Sequence, residues 1–377
     1  MTNTTSQYTL RDRVRGMLIG SAIGDALGAP VEFWDRAEIA KVFRGEVEMR
    51  ASDRPAEAEG IWLADAPSGT TTDDTRWKRV LIDALGRAPS LTGRGWCAHL
   101  MKLDRAMHDG GPDRAQALVG AHDSPSLPMD WLEEWLRVAR AYLAGDPGRY
   151  ARATALFYGG DLACAGMMYS PVLGALHAGD PAAAYQHATE LGVFDMGFAR
   201  DISALTAAMT ARACVAGASL GDVLGVIGGE SAIDPEGFAQ CRLLGRIAAD
   251  LVAKAREIVE GAWGASPDDP DAQTRQAYDA LDRLKRHIGF HAGEIHLVNL
   301  SAMLFSDGDF ESAMRFVVNY GRDNDTTAAV TGAILGAMHG ADALPQRWVA
   351  PVLEQNRAMG MDLVALADAL AGLAVCG

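Results

Sequence analysis

Cysteine is scarce in this sequence, and its few copies form no pattern. The 377 residues contain five cysteines, an odd number, and no pair has the spacing of metal ligands. They are Cys97, Cys164, Cys214, Cys241 and Cys376. We therefore predict that these side chains are small buried apolar groups in a protein of a reducing compartment.

An excess of positive charge is also absent. Lys and Arg number 34 against 49 Asp and Glu, which gives a net charge of −15 and an isoelectric point near 5.0. Nucleic acids and acidic membrane surfaces bind basic faces, so neither is an expected partner of this chain.

Long uninterrupted apolar runs are missing. Residues 1–7 are polar and carry no secretory signal. The longest apolar stretch, residues 16–31, contains Asp25 and is too short and too rich in glycine to span a membrane comfortably. The expectation is a soluble, cytoplasmic protein.

Alternation of apolar and polar residues with a period of two, which is typical of half-buried strands, is also absent. Helical periodicity dominates instead. Trp131, Trp135, Val138 and Tyr142 repeat at helical spacing. Alanine-rich runs that favour helices recur at residues 182–184, 202–218 and 247–259.

Short breakers interrupt the helical patterns at residues 145–148, 179–181 and 266–271, and we expect the last of these to form a long surface loop. No linker is long enough to separate domains. The sequence therefore predicts one all-α domain over residues 1–377, built as a compact multi-helix bundle.

The most informative features are two acidic clusters at the two ends of the chain. Residues 69–75 read Gly-Thr-Thr-Thr-Asp-Asp-Thr, and residues 321–327 read Gly-Arg-Asp-Asn-Asp-Thr-Thr. Each directly precedes an apolar pattern of helical period, so each lies at the start of an amphipathic helix. Four carboxylates with neighbouring hydroxyl groups and no nearby thiolate suit a hard divalent cation.

Other interpretations of these clusters are possible. Helix capping alone requires one side-chain acceptor, which does not explain two acids at each start. A calcium-binding EF-hand loop starting at Asp323 fails, because Ala328 and Ile334 stand where Gly and Glu are required. Residues 323–327 also fit the Asp-x-Asp-x-Thr motif of a phosphatase family, preceded by the apolar run 316–318, although too few residues follow for its domain.

Glycines recur at every fourth residue in two segments, residues 16–28 and residues 332–340. Each glycine costs roughly 1 kcal/mol relative to alanine inside a helix, so we predict a close helix–helix approach that offsets the cost. Asp25 lies within the first glycine segment, where an unpaired carboxylate would be expensive. We expect it to be hydrogen-bonded near the acidic clusters and to support the residues that bind metal.

Three motifs of this chain, in their order along the sequence, resemble the signature motifs of the ADP-ribosylglycohydrolase family. This family includes the enzyme that reactivates dinitrogenase reductase. The first is Gly-Ser-Ala-Ile-Gly-Asp-Ala-Leu-Gly at residues 20–28, followed by Glu32. The second is Thr-Asp-Asp-Thr at residues 72–75, and the third is Gly-Arg-Asp-Asn-Asp-Thr at residues 321–326. Residues 166–171 match the middle of the family more loosely.

The resemblance implies an all-α fold of the ADP-ribosylglycohydrolase type with two Mg²⁺ or Mn²⁺ ions in a cleft. It also implies that Glu32 lies beside the metals and positions substrate and water. The implied metal ligands are Thr72, Asp73, Asp74, Asp323, Asp325 and Thr326. The implied reaction is hydrolysis of the bond between C1 of a ribose and a nitrogen or oxygen.

Two ions about 3.5–4 Å apart can orient ribose hydroxyls, and carboxylates stabilise the oxocarbenium character of the transition state. A carboxylate is also the expected general base. Spacing does not identify it: Asp74 and Asp323 are the candidates among the implied ligands, and Glu32 is the next choice.

One region departs from the family pattern. Many members carry a histidine-containing segment that lines the ribose site, whereas residues 189–199 contain no histidine. Phe194 and Asp195 are predicted to take that place as substrate-binding residues. His291 and His296 are predicted to be core or helix-end histidines, because their spacing does not fit a helical zinc pair.

Three functions follow as expectations. The first substrate is ADP-ribosylated protein, with modified arginine as the leading linkage, or an ADP-ribose derivative. The alternative is hydrolysis of a small ribosylated metabolite of the N-riboside or nucleoside type. No glycine-rich phosphate loop is present, and an acidic protein gains no steering toward an anionic substrate, which mildly favours that alternative. A non-catalytic binding or structural protein that keeps the fold is the third possibility.

Overall fold

The computed structural model describes residues 2–53, 65–119, 130–228, 233 and 245–376. Within these ranges the chain forms seventeen α-helices and one two-stranded antiparallel sheet, so the all-α prediction is confirmed. In chain order the elements are α1 (Thr2–Gly28), α2 (Arg36–Phe43), β1 (Ser52–Asp53), β2 (Asp65–Ala66), α3 (Asp73–Arg87), α4 (Gly93–Val119), α5 (Asp130–Leu143), α6 (Pro147–Leu156), α7 (Ala165–Leu176), α8 (Pro181–Leu191), α9 (Phe198–Ala213), α10 (Leu220–Gly225), α11 (Ile247–Ala265), α12 (Pro270–Asp282), α13 (Ala292–Phe305), α14 (Phe310–Tyr320), α15 (Asn324–His339), α16 (Gln346–Ala358) and α17 (Leu363–Cys376).

Three short 3-10 helices, Ala29–Val31, Phe157–Gly160 and Ala341–Ala343, connect helices of the described part of the chain. The two strands are two residues each and pair Ser52 with Ala66 and Asp53 with Asp65. They add little to a core that helices build.

The alanine-rich run at residues 202–218 is helical only to Ala213, where α9 ends, and the predicted loop at residues 266–271 is shorter than expected. The Asp269 side chain accepts a hydrogen bond from Ala272 N at 2.9 Å, and Pro270 occupies the first turn of α12. Asp as N-cap followed by Pro begins a helix efficiently. The expected long surface loop is therefore wrong, because its acidic and proline residues start a helix after a short turn.

Helices α1 and α15 form the centre of the molecule through their glycines. A Cβ atom on Gly20 would lie 2.4 Å from Gly332 O, and one on Gly24 would lie 2.1 Å from Ala328 O. No real side chain tolerates such distances, so the two backbones are in direct contact. The predicted close helix–helix approach is confirmed, and the structure shows that the two glycine-bearing helices are each other's partners.

The same contact sets the position of the acidic residues. A Cβ atom on Gly28, at the end of α1, would lie 2.4 Å from Asp325 Cα, at the start of α15. The chain leaves α1 there and reaches Glu32 four residues later. The end of the first long helix is thus packed against the start of the helix that carries the second acidic cluster.

Large aromatic side chains hold α3 in the core. Trp77 is completely buried, and its ring centroid lies 3.9 Å from that of Trp135 on α5 and 6.2 Å from that of Trp96 on α4. Burying such side chains contributes several kcal/mol of hydrophobic stabilisation. The start of α3 therefore rests on a rigid base.

Among the helices that the structure describes, none is long and apolar enough to cross a membrane.

Candidate metal centre

The start of α3 is organised by the buried carboxylate of Asp25. Its Oδ1 accepts hydrogen bonds from Thr72 N and Thr72 Oγ1, both at 2.9 Å. Its Oδ2 accepts from Thr75 N at 3.1 Å and from Thr75 Oγ1 at 2.5 Å. Burial raises the pKa of Asp25, and these hydrogen bonds offset part of the rise. Because Thr72 donates its hydroxyl proton to Asp25, its oxygen lone pairs remain available to a cation.

The start of α15 carries the second cluster. Asp323 occupies the N-cap position, yet its side chain makes no capping hydrogen bond. Asp325 Oδ1 accepts from Thr326 N at 2.9 Å, and Thr327 Oγ1 donates to the Asp323 carbonyl at 2.5 Å. Capping therefore does not explain why the Asp323 carboxylate lies in this position.

The two clusters converge. Thr326 Oγ1 donates a hydrogen bond to Asp74 Oδ2 at 2.9 Å, which joins the start of α15 to the start of α3. Carboxylate oxygens of Glu32, Asp323 and Asp325 also lie within 4.8 Å of one another. The structure thus brings together acids from three separate parts of the chain.

This donor set fits a hard divalent cation. All of the converging groups offer oxygen, which Mg²⁺ and Mn²⁺ prefer. Asp74 Oδ1 and Asp323 Oδ1 are buried and accept no hydrogen bond from the described residues. Buried carboxylate oxygens without a partner are costly, and a bound cation would satisfy them.

The electrostatics of the cluster are unfavourable without a counter-ion. Burial raises the pKa of Asp74 well above its usual range, and the nearby charges of Asp73, Asp25 and Asp323 raise it further. Burial, followed by the charge of Asp325, raises the pKa of Asp323 in the same way. Carboxylates so arranged resist simultaneous ionisation.

One buried cation lies beside these acids. Lys78 is fully buried, and its Nζ donates to the Asp74 carbonyl at 3.0 Å. Burial lowers the pKa of Lys78, while the charges of Asp74, Asp25 and Asp73 oppose that shift. A single lysine offsets only part of the negative charge of the cluster.

The acids line a cleft together with apolar residues. Its lining consists of Glu32, Phe33, Asp73, Tyr158, Ala163, Cys164, Ala165, Met168, Phe290, Asp323, Asp325 and Thr326. None of these described lining residues is Lys, Arg or His. The lining of the cleft therefore combines acidic, oxygen-rich groups with aromatic and aliphatic side chains.

Phe194 and Asp195 lie elsewhere. Phe194 is fully buried, with its ring centroid 4.7 Å from that of Trp135. Asp195 is buried, and its Oδ1 accepts from Gly166 N at 2.9 Å. Burial raises the pKa of Asp195 to about 6. Neither residue is among those that line the cleft, so their contact with substrate stays a prediction.

The two histidines are placed as expected. His291 is the N-cap of α13, where its Nδ1 accepts from Gly293 N at 3.0 Å. His296 lies in the same helix, and burial lowers its pKa to about 4. Both are buried residues of a helix or its start, which confirms the interpretation as helix-end and core histidines.

The phosphatase alternative loses its structural premise. Residues 316–318 belong to α14, so Asp323 follows a helix and not the first strand of an α/β domain. Sequence patterns alone do not reveal the three aromatic residues that line the cleft, Phe33, Tyr158 and Phe290, which we call the aromatic wall. Only the Gly-Gly pair after Tyr158 signalled an irregular segment there.

The fold and the cleft define a class of all-helical proteins in which acidic residues gather at helix starts. Comparison of sequences identifies the family within this class. The ADP-ribosylglycohydrolase family profile matches residues 6–376. The chain belongs to the ADP-ribosylglycohydrolase family, a family of glycosidic-bond hydrolases, in agreement with the resemblance of its motifs.

The individual relatives match this chain either over a short stretch or at low sequence identity. The ADP-ribosyl-[dinitrogen reductase] glycohydrolase of Rhodospirillum rubrum is 39% identical over 87 residues, which are 23% of this chain and 24% of the relative. The match thus spans about a quarter of that relative's length. A solved structure described as an ADP-ribosylglycohydrolase-related protein complex aligns with a TM-score of 0.59 and 22% identity over 97% of this chain and 99% of that chain. It shows the same fold.

Proposed function

We propose that this chain is a divalent-metal-dependent hydrolase that cleaves the glycosidic bond at C1 of ribose in ADP-ribosylated protein or in an ADP-ribose derivative. Membership in the family supports the reaction type. The observation that carries the proposal is the convergence of Glu32, Asp323 and Asp325, whose oxygens lie within 4.8 Å of one another at the side of a cleft.

Two Mg²⁺ or Mn²⁺ ions are the proposed cofactors. When bound, they would orient the ribose hydroxyls and polarise the glycosidic bond. The proposed ligands are Thr72, Asp73, Asp74, Asp323, Asp325 and Thr326. The lone pairs left on Thr72 Oγ1 and the unpartnered oxygens of Asp74 and Asp323 support this assignment.

The residues of the chain prepare the site in three ways. Asp25 fixes the start of α3 by accepting from the backbone and hydroxyl groups of Thr72 and Thr75. Thr326 holds Asp74 by donating to its Oδ2. The apolar side chains that line the same cleft would exclude water from part of the bound ribose.

We propose Glu32 as the general base. Glu32 is partly exposed, whereas Asp74 and Asp323, the other candidates, are almost completely buried, so water reaches Glu32 most easily. The water oxygen bonds to C1 as one of its protons passes to a Glu32 oxygen. The bond from C1 to the leaving nitrogen or oxygen breaks with its electron pair on the leaving atom. The leaving atom then takes up a proton from solvent, and Glu32 releases its proton to solvent.

A small ribosylated metabolite is the second candidate substrate. No Lys, Arg or His is among the described lining residues, so no cationic side chain there would pair with a pyrophosphate. The net charge of −15 provides no steering toward anions. These observations favour a substrate with little negative charge, such as an N-riboside or nucleoside.

A release assay tests the proposal. Wild-type protein with Mg²⁺ or Mn²⁺ is offered an ADP-ribosylated protein, O-acetyl-ADP-ribose and a panel of nucleosides. Release of free ADP-ribose supports the first substrate class, and release from nucleosides alone supports the second. No release from any of them, with either ion present, favours the non-catalytic alternative and contradicts the proposal.

A matched pair of variants ties the activity to the acids. Asp325→Asn keeps the side-chain shape and removes the charge, so turnover should fall by at least about a hundredfold, since even partners of metal ligands are worth about 10–100-fold. Asp271→Asn makes the same change at an exposed position of α12 and should leave turnover unchanged. Equal turnover in the two variants would exclude Asp325 from the site.

A further inference from the structure

An exposed aromatic ring lies next to the proposed base. Phe33 follows Glu32 directly and lines the cleft together with Tyr158 and Phe290. It is 47% exposed, which makes it one of the few large apolar side chains open to solvent in the described part of the chain. A large exposed apolar side chain inside a cleft marks a place where a ligand can bind.

The backbone of Phe33 is strained. Its φ of +59° lies in the left-handed region, which is rare for a bulky side chain. Such a conformation persists only where neighbouring contacts hold it, and it concentrates at binding sites. Here the Phe33 N–H donates to the Arg322 carbonyl at 2.8 Å.

Arg322 is itself held in a left-handed conformation, with φ of +65°, although glycine would fit that position at lower cost. Its side chain supplies a reason. Arg322 Nε donates to Glu294 Oε1 at 2.6 Å, and Nη2 donates to Oε2 at 3.1 Å. Glu294 is only 5% exposed and also accepts from Arg286 N at 2.6 Å. A two-pronged ion pair of this kind fixes orientation strongly.

The ring is also supported from one side. A Cβ atom on Gly289 would lie 2.7 Å from Phe33 Cε1, so the ring rests against bare backbone. Any larger residue at position 289 would displace it. Phe33 is therefore positioned by Arg322 through its backbone and by Gly289 through its ring.

We propose that Phe33 is a specificity-determining residue whose ring contacts the planar group that leaves C1 of ribose, and that the Arg322–Glu294 ion pair positions it. The inference rests on the proposed function. If Glu32 delivers water to C1, the leaving group lies on the opposite face of C1, within the same cleft that Phe33 lines.

A planar cation of the guanidinium type fits this position best. The face of an aromatic ring attracts cations, most strongly where water is partly excluded. Of the four acids that line the described cleft, Asp73, Asp323 and Asp325 are proposed metal ligands, whose charge bound ions would neutralise. Glu32, the residue before Phe33, is the lining acid outside that ligand set. The leaving group would thus be held between the ring of Phe33 and the carboxylate of Glu32.

The first experiment compares two peptides, one ADP-ribosylated on arginine and one on serine, which has no planar leaving group. Phe33→Ala should raise KM for the arginine-linked peptide about fivefold to tenfold with kcat little changed, and leave the serine-linked peptide unaffected. Phe33→Trp should restore the wild-type KM. Trp34→Ala removes a neighbouring exposed ring that does not line the cleft and should change neither value.

Several outcomes would overturn the proposal. These are an equal rise of KM for both peptides, a weaker affinity of Phe33→Ala for free ADP-ribose by calorimetry, and wild-type activity on the serine-linked peptide alone. The first two would mean that the ring contacts the part of the substrate that both peptides share.

The second experiment tests the positioning role of Arg322 with a double-mutant cycle. Arg322→Gly suits the left-handed backbone but removes the guanidinium, and it should raise KM for the arginine-linked peptide. If Arg322 acts through Phe33, the double variant with Phe33→Ala should have the same KM as Phe33→Ala alone. Additive effects, or an unchanged KM in Arg322→Gly, would overturn this part.

A binding measurement separates this inference from the proposed function. Agmatine carries a planar guanidinium and needs no turnover. Wild-type protein should bind agmatine in calorimetry, and Phe33→Ala should bind it at least about fivefold more weakly. Agmatine binding without release from any substrate would contradict the proposed function only, whereas no binding to the wild type would overturn the role of Phe33.

Discussion

Thr326 Oγ1 lies 2.9 Å from Asp74 Oδ2 and donates a hydrogen bond to it across 252 positions of sequence. This bond joins the starts of α3 and α15, which carry the two acidic clusters. Both residues are buried, so the bond is shielded from competition by water. It is the direct link between the two halves of the candidate metal centre.

Removing the Thr326 hydroxyl should weaken the site without unfolding it. Thr326→Val keeps the shape but removes a hydroxyl that is both a proposed metal ligand and the donor to Asp74, so the affinity for Mn²⁺ should fall at least about 10–100-fold. Thr326→Ser should retain most of the affinity. Thr331→Val loses a different buried bond of α15, to Asn299 Oδ1, and serves as the control. Equal Mn²⁺ affinities in Thr326→Val and Thr331→Val by calorimetry would refute the link.

Asp25 should matter for folding as well as for the site. In Asp25→Asn the amide nitrogen cannot accept the hydrogen bonds that Thr72 or Thr75 donates, and buried donors without partners cost about 1–3 kcal/mol. Urea denaturation should show a lower free energy of unfolding by that amount. A variant as stable as the wild type would indicate that Asp25 does not hold the start of α3.

The contact between α1 and α15 predicts contrasting effects of two glycine substitutions. Gly20→Ala would place a Cβ atom 2.4 Å from Gly332 O, and such overpacking should cost about 1–3 kcal/mol or more. Gly261→Ala lies in α11 with no atom within 4 Å of the added group, and should stabilise the protein by up to about 1 kcal/mol. Thermal unfolding checks both, and a neutral Gly20→Ala would refute the backbone contact.

Asp195 should make stability depend on pH. Burial raises its pKa to about 6 in the folded protein, against 3.8 for the ordinary group. The contribution of Asp195 to the free energy of unfolding is therefore fully present below pH 3.8. It is lost as the pH rises through 6, because the buried carboxylate must then ionise. The difference corresponds to about 3 kcal/mol.

Asp195→Asn should consequently raise the unfolding temperature at pH 8 and leave it nearly unchanged at pH 4. Activity measured on the same variant addresses the predicted substrate contact: a structural role leaves KM unchanged, whereas a contact raises it. An unfolding temperature that falls at pH 8 would contradict the pH argument.

Much of this architecture can be predicted from sequence, because the relevant signals are local. Helical periodicity predicts the helices. Glycines at every fourth residue predict a close helix–helix approach, which the structure shows between α1 and α15. The pairs of acids at residues 73–74 and 323–325 each stand at the start of a helix. Their convergence can be predicted because it requires only that these two helix starts meet.

The aromatic wall could not be predicted in the same way. The left-handed conformation of Phe33 depends on the Arg322 carbonyl, and the position of its ring depends on Gly289, which is 256 residues away in sequence. Nothing near Phe33 in the chain signals either contact. Residues 266–271 show that a local signal can also mislead. Their turn-forming residues predict a loop, but Asp269 is the N-cap of helix α12.

The most direct test of the central claim is calorimetric titration of metal-stripped protein with Mn²⁺, for the wild type and for Asp323→Asn. The wild type should bind two ions per chain, because the acids of α3, α15 and Glu32 form one oxygen-rich centre. Asp323→Asn should bind fewer ions or bind them much more weakly. A wild type that binds no Mn²⁺, or a variant with the same stoichiometry and affinity, would contradict the account.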